Sequence, residues 1–379
     1  MHSSHRNQPV YMNKLVIWGL IGTLALTGCK SFFGGKDGEL TGSSDRPTWD
    51  SPEPYGMVLV PAGSYHLGQN DQDVNYSQIA TTRQITVSAF WMDDTEITNN
   101  EWRQFAELTA DQSSSPATLK GSAEAYDQEV IKFLFDEYGY NAPPAEYAKL
   151  VIPDTAAWVR DFGSYTYNEP IVENYYWHPA FDDYPVIGVS WYGAQAFAYW
   201  RTLYYNKYRD DDQKPRLPRF RLPSEAEWEF AARGGLEHKL YPWEGLYLRN
   251  AKGCFLANFK NQHGDYIGDN YSYTSPVRAY WPNDFGLYDM SGNVAEWCED
   301  DFEESAYTYT LDLNPVYRDP NKLEKRRVVR GGSWKDIAYF LSVGTRDYEY
   351  ADLTKSYIGL RLVNSVIGAA GSTLGDASR

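Results

Sequence analysis

Gly286-Leu-Tyr-Asp-Met-Ser-Gly-Asn-Val-Ala-Glu-Trp297 is turn chemistry wrapped around a few fixed side chains. Gly286 and Gly292 permit turns that a residue with a Cβ resists. Asp289, Ser291 and Asn293 can bond to nearby backbone and hold a loop without regular structure. Leu287, Met290, Val294 and Trp297 would pin that loop into a core. Asp289 and Glu296 are carboxylates with glycine-containing chain between them. Such a pair suits an oxygen cage for a hard cation, which takes carboxylates and carbonyls together. It equally suits a surface turn with two solvated acids, and the stretch alone does not choose.

Further ordered segments flank it. Upstream lies Arg221-Leu-Pro-Ser-Glu-Ala-Glu-Trp-Glu-Phe-Ala-Ala-Arg233. Ser224 and Glu227 have the spacing of a capping box, and Gly234-Gly235 should end that helix. Downstream lie Arg330-Gly-Gly-Ser-Trp334 and Gly359-Leu-Arg361. Met57-Val-Leu-Val-Pro-Ala-Gly63 opens the domain with a buried strand. Ile85, Val87, Ala89 and Trp91 alternate with polar or outward residues and predict a second strand. In Glu96-Ile-Thr-Asn-Asn-Glu-Trp102, Thr98 and Glu101 form another capping box. Trp102, Phe105 and Ala106 then follow at helical spacing. Ser190 is placed to cap a helix with Trp191, Ala194 and Ala198 on one face. The whole predicts an α+β domain rich in irregular loops, which 30 Gly and 20 Pro suit.

In this order the segments resemble the sulfatase-modifying-factor family, whose formylglycine-generating-enzyme fold is a variant of the C-type lectin fold. The likeness runs from about Gly56 to Val363. Within the family it is similar to the gliding-motility and type IX secretion lipoproteins of the GldK/PorK group. The resemblance implies a structural calcium on the side chains of Asp289 and Glu296 with the carbonyls of Gly292 and Val294. It implies a second calcium on Asn258 and Asp269 side chains with the carbonyls of Phe259 and Tyr271. Oxygen donors on loops are what Ca²⁺ takes. The family's oxidases carry two copper-binding cysteines after Gly-Gly-Ser. Asp336 and Leu341 stand there, and neither supplies the thiolate that copper(I) selects. No copper is therefore expected. The family's iron-dependent members use a histidine cluster on an added helical domain. Beyond the leader, the histidines here are His66, His178, His238 and His263. None is spaced as a helical ligand pair. No Gly-x-Ser-x-Gly elbow suggests a nucleophilic serine.

The N-terminal region reads as a leader. Lys14, the apolar run Leu15–Leu26 and Thr27-Gly28-Cys29 have the form of a signal peptide ending in a lipobox. The run is too short for a comfortable span of roughly 20 residues. Cleavage over residues 1–28 would leave Cys29 acylated. Lys30-Ser-Phe-Phe33 is not an acidic export stretch, so the expected place is the periplasmic face of the outer membrane. Residues 29–55 are polar, with Gly, Ser and Pro, and predict a flexible tether. The folded domain should span 56–364, with a disordered tail over 365–379. The full chain has a formal net charge of −16. Losing Arg6 and Lys14 leaves 33 basic residues against 51 acidic, a net −18. That excludes the basic footprint nucleic acid needs. It also excludes electrostatic docking on anionic lipid, so attachment must come from acyl chains. Beyond Cys29, Cys254 and Cys298 could be two buried thiols or a disulfide.

An insertion, about Thr109–Asp183, separates two family motifs. It has a helical part near Ala123–Tyr138, a turn at Pro143-Pro144 and the aromatics Tyr165, Tyr167, Tyr175, Tyr176 and Trp177. Those rings could serve an interface or simply pack the insertion onto the body. Three functions fit the chain. One is a non-enzymatic lipoprotein subunit of the type IX secretion or gliding ring, self-associating and paired with a GldN/PorN-like periplasmic protein. A second is a lectin-like glycan binder. A third is a periplasmic enzyme with altered chemistry, which would need a metal or nucleophile not evident here. Arg330 and Arg361 are expected to pair internally with acids such as Glu227.

Overall fold

The computed structural model describes residues 52–69, 82–108, 117–141, 144–163, 169–261, 267–268, 270–321 and 323–367. Cys29, the leader and nearly all of the tether lie outside them, as do Tyr165, Tyr167, His263 and Asp269. The chain opens with β1 (Met57–Val60), β2 (Gly63–Leu67), β3 (Arg83–Val87) and β4 (Phe90–Asp93). Helix α1 (Asn99–Glu107) follows. Four insertion helices come next: α2 (Ala117–Tyr138), α3 (Pro144–Val151), α4 (Ala157–Phe162) and α5 (Pro170–Asn174). Then come α6 (Trp191–Asp211), α7 (Glu225–Arg233), β5 (Ala295–Asp301), β6 (Arg326–Arg330), β7 (Asp347–Tyr350), β8 (Ile358–Gly359) and β9 (Val363–Ser365). Among the described residues no helix is long and apolar enough to cross a membrane.

Three sheets organise these strands. Their orders are β1-β4-β9, β2-β3 and β7-β6-β5-β8. The predicted strand through Ile85–Trp91 is in fact two. Ile85 and Val87 face inward on β3, but Phe90 and Met92 are the buried pair on β4, while Trp91 is only half-buried. The chain changes sheet at Ser88-Ala89, pairing with β2 before it and β1 after it. A one-residue slip exchanges the faces of every following side chain. Strict alternation therefore named the wrong face beyond Val87. Ser365 pairs with Phe90, so the ordered domain extends one residue past the expected boundary into the predicted tail.

The caps form as read. Thr98 and Glu101 make a reciprocal box on α1, as do Ser224 and Glu227 on α7. Ser190 accepts from Gly193 at the start of α6, and Gly234 closes α7 with a left-handed φ of 58°. Trp191, Ala194 and Ala198 are all buried.

The insertion completes the core rather than standing apart. Its helical part begins at Ala117, earlier than expected, and Pro144 starts α3 instead of finishing a turn. Phe133 stacks on Tyr199 of α6 at 4.2 Å. The Trp102 indole N–H donates to the Val151 carbonyl at 2.7 Å. Trp158 and Tyr175 pack with Val294 and Trp334. Tyr176 joins the main cluster with Trp102, Trp191 and Trp297. Of the described Tyr/Trp rings in the aromatic run 165–177, only Trp177 stands out, at 57 % exposed.

A buried acid site beneath the 286–297 loop

The loop is built from side chains that reach across the molecule. Leu287, Met290, Val294 and Trp297 are all buried, as their pattern required. The polar residues bond far along the chain, not locally as expected. Ser291 donates to the Leu341 carbonyl at 2.7 Å, and Asp289 Oδ2 accepts from the Arg278 N–H at 2.8 Å. Asn293 accepts from the Ser275 N–H at 2.8 Å and donates to Glu96 Oε2 at 2.7 Å. Gly292 has a φ of 82°, and a Cβ there would run into the Asn258 carbonyl, so only glycine closes this turn.

These contacts gather three buried carboxylates: Glu96, Asp289 and Glu296. Glu296 takes two bonds from Arg361, at 2.7 and 2.6 Å, and one from the Trp228 indole at 2.7 Å. The register that sets Glu296 opposite Gly359 brings Arg361, two residues on, against it. Glu96 accepts the Val294 N–H at 3.1 Å. Burial, reinforced by Asp289 and Glu296, pushes the Glu96 carboxyl well above the usual range. Burial likewise raises Asp289 to about 6, against the pull of the Arg278 N–H and Arg361. Among the described residues, Asp289 Oδ1 is buried with no hydrogen-bond partner. Negative charge therefore exceeds what Arg361 balances, and one oxygen is left for a ligand.

That is the condition a hard cation relieves. Asp289 Oδ1 fits as a donor. Glu296 has three of its roughly four lone-pair positions taken, so it could reach a cation only through Oε1. Glu96 is the residue the sequence did not single out. Its motif was visible, but nothing local reports a partner 197 residues away. At the second expected set, both Asn258 amide bonds go to Tyr273 and Asn293, leaving its oxygen as the donor. Phe259 is buried, Tyr271 is half-buried, and Asp269 falls outside the described residues.

Arg330 and Arg361 pair internally, but not with Glu227, which binds Arg221 at 2.6 and 2.7 Å. Arg330 pairs with Glu229. Glu225 takes Arg346 at 2.7 and 2.9 Å, and Arg346 with Arg330 outweighs burial to lower its pKa.

At Asp336 and Leu341, where the resemblance places the oxidase cysteines, the side chains make structural contacts. Asp336 accepts from the Ser333 N–H and hydroxyl at 3.1 and 2.6 Å and from Lys335 at 3.0 Å. Leu341 is fully buried among Tyr241, Phe255, Ala257 and Phe259. Gly332, with a φ of 68°, admits the Phe340 carbonyl where a Cβ would come within 2.6 Å, folding this segment back on itself. Cys254 is exposed and Cys298 buried, and they are unpaired. Neither the bridge nor two buried thiols is therefore what forms. Burial pushes the Cys298 thiol far up.

The mixed helix-and-sheet frame and the glycine-bound acid loop define a class. Residues 45–366 match the family described as the sulfatase-modifying factor enzyme 1-like domain. The chain belongs to that family. It is 32 % identical over 289 residues to a formylglycine-generating enzyme of Thermomonospora curvata, covering 74 % of this chain and 82 % of that one. It is 29 % identical over 323 residues to the mouse inactive C-alpha-formylglycine-generating enzyme 2, covering 82 % and 85 %. The structure of PvdO from Pseudomonas aeruginosa is similar with a TM-score of 0.52 at 22 % identity, over 82 % of this chain and 94 % of that one.

Proposed function

We propose that this chain is a non-enzymatic member of the family: an outer-membrane lipoprotein, anchored through Cys29 on the periplasmic side, that serves as a structural ring subunit of the type IX secretion and gliding machinery. The observation that carries the reading is the packing of Asp336 and Leu341. One ties a turn and the other fills a core. Asp336 borders a small cavity, but its carboxylate is held by Ser333 and Lys335, and neither it nor Leu341 offers a thiolate. Similarity to a relative named as inactive supports it. Calcium serves as the structural ion at Asp289 and Glu296, where the surplus of buried carboxylates calls for a cation.

The ring contact falls on the insertion, with a second copy of the chain and a GldN/PorN-like periplasmic protein as partners. Phe135 and Trp177, each 57 % exposed, supply the apolar surface. The contact is tested by surface substitution, because Tyr175, Tyr176 and Val151 of the insertion belong to the body's core. Trp177→Ala with Phe135→Ser should leave folding intact and abolish co-elution with the partner. Undiminished co-elution would move the contact elsewhere. Purified protein with copper, oxygen and a cysteine-containing sulfatase peptide should form no aldehyde; turnover would reject the non-enzymatic reading. Labelled fatty acid should enter the wild type and not Cys29→Ala, and equal labelling would reject the anchor.

A further inference from the structure

We propose that His66, Glu237 and His238 bind one divalent transition-metal ion of the zinc class. Their ligand atoms all lie within 4.8 Å of one another. The two imidazole rings face each other with centroids 5.0 Å apart. Tetrahedral zinc, with bonds of about 2.0–2.1 Å, sets its ligands roughly 3.4 Å apart. The gap closes by side-chain rotation, since Glu237 and His238 are 54 % and 56 % exposed. Among the described residues, His66 Nδ1 is buried with no hydrogen-bond partner. Buried polar atoms are normally satisfied, and a stranded imidazole nitrogen marks a place for a ligand or one that fixes the ring's tautomer for it.

The backbone is arranged to hold the site. His66 lies on β2, and His238 lies in the turn after α7. Arg233 ties the two together. Its guanidinium is held by Glu229 at 2.6 Å and donates both to the Gly68 carbonyl at 2.8 Å and to the Lys239 carbonyl at 3.1 Å. Gly68 is two residues past His66, and Lys239 directly follows His238. One buried cation thus fixes the spacing of the two ligand-bearing arms. His238 itself holds a left-handed φ of 57°, a conformation that residues with a Cβ occupy sparingly. Two imidazoles and one carboxylate favour zinc, nickel or cobalt over calcium or magnesium. Three protein ligands leave a position for water, so the ion would staple β2 to the turn while remaining reachable from solvent. The site is separate in donors and place from the oxygen-lined acid site, and does not rest on the function proposed above.

The test is calorimetric titration of the chelator-stripped full chain with zinc alone, in millimolar calcium to saturate oxygen sites. The expected result is one zinc per chain. His238→Ala and His66→Ala should each weaken binding at least about tenfold, the low end of what losing even an outer-shell partner costs. His178→Ala should titrate as the wild type. Cobalt should give visible d–d absorption in the wild type and not in His238→Ala. The exposed His238 position keeps the test valid if His66→Ala fails to fold. No zinc uptake at micromolar concentration, or equal affinity in wild type and His238→Ala, overturns the proposal. So does an equal loss in Cys254→Ser, which would place the ion on the exposed thiol.

Discussion

Arg361→Met should cost the domain about 3–5 kcal/mol, the range found when one member of a buried ion pair is removed. Arg361 is 0 % exposed, and its partner Glu296 is 1 % exposed by side chain. The guanidinium also donates to the carbonyls of Tyr288 at 2.9 Å and Asp93 at 3.3 Å. Methionine fills much of the volume but leaves Glu296 charged, buried and beside two further acids. The cost is that stranded charge more than any lost attraction. Adding Glu296→Gln should therefore recover more than half of it, because glutamine still accepts from the Trp228 indole. Urea denaturation in a chelator at pH 7.5 measures both. A loss under about 1 kcal/mol in Arg361→Met would show that the acids are not held by this arginine.

Asp289→Asn should behave in opposite ways with and without calcium. In a chelator at pH 7.5 it should stabilise the protein by about 3 kcal/mol. The folded state raises Asp289 to about 6 from an ordinary value near 3.8, and each unit is worth about 1.4 kcal/mol. A carboxyl raised on folding contributes most at low pH, and that contribution is lost as pH rises from about 4 through 6. The wild type should thus gain stability on acidification from pH 7 to 5, and the variant should lack that share of the gain. In calcium the order reverses, because the wild type gains about 4.1 kcal/mol at a thousandfold excess over Kd and the variant has lost its free oxygen. Equal stability in chelator would remove the charge argument. An equal calcium response in both proteins would move the ion to another site.

Local signals carried much of this structure. Both capping boxes, the Ser190 cap and the Gly234 stop were legible because each is settled within four residues of chain. The apolar pins of the 286–297 loop were legible for the same reason. The Ile85–Trp91 stretch shows where local reading stops. Its alternation is real, but the change of sheet at Ser88-Ala89 depends on β1 and β2 competing for it, and no window over the stretch itself contains that competition. Tyr175 and Tyr176 give the same lesson. An aromatic run reads alike whether it faces a partner or a core, and only the position of Trp102, Trp158 and Val294 around it decides.

By itself, then, the sequence determined the family and the helix ends, since these rest on residue identity and short spacing. The tertiary structure alone decided which acids meet which arginines. Arg361 found Glu296, Arg330 found Glu229, and Glu227 went to Arg221. It also brought Glu96 beneath Asn293, and His66 against His238. Charge pairing and ligand convergence are set by distance in space and by burial, and side chains from six to 197 residues apart acquire their partners only when the sheets close.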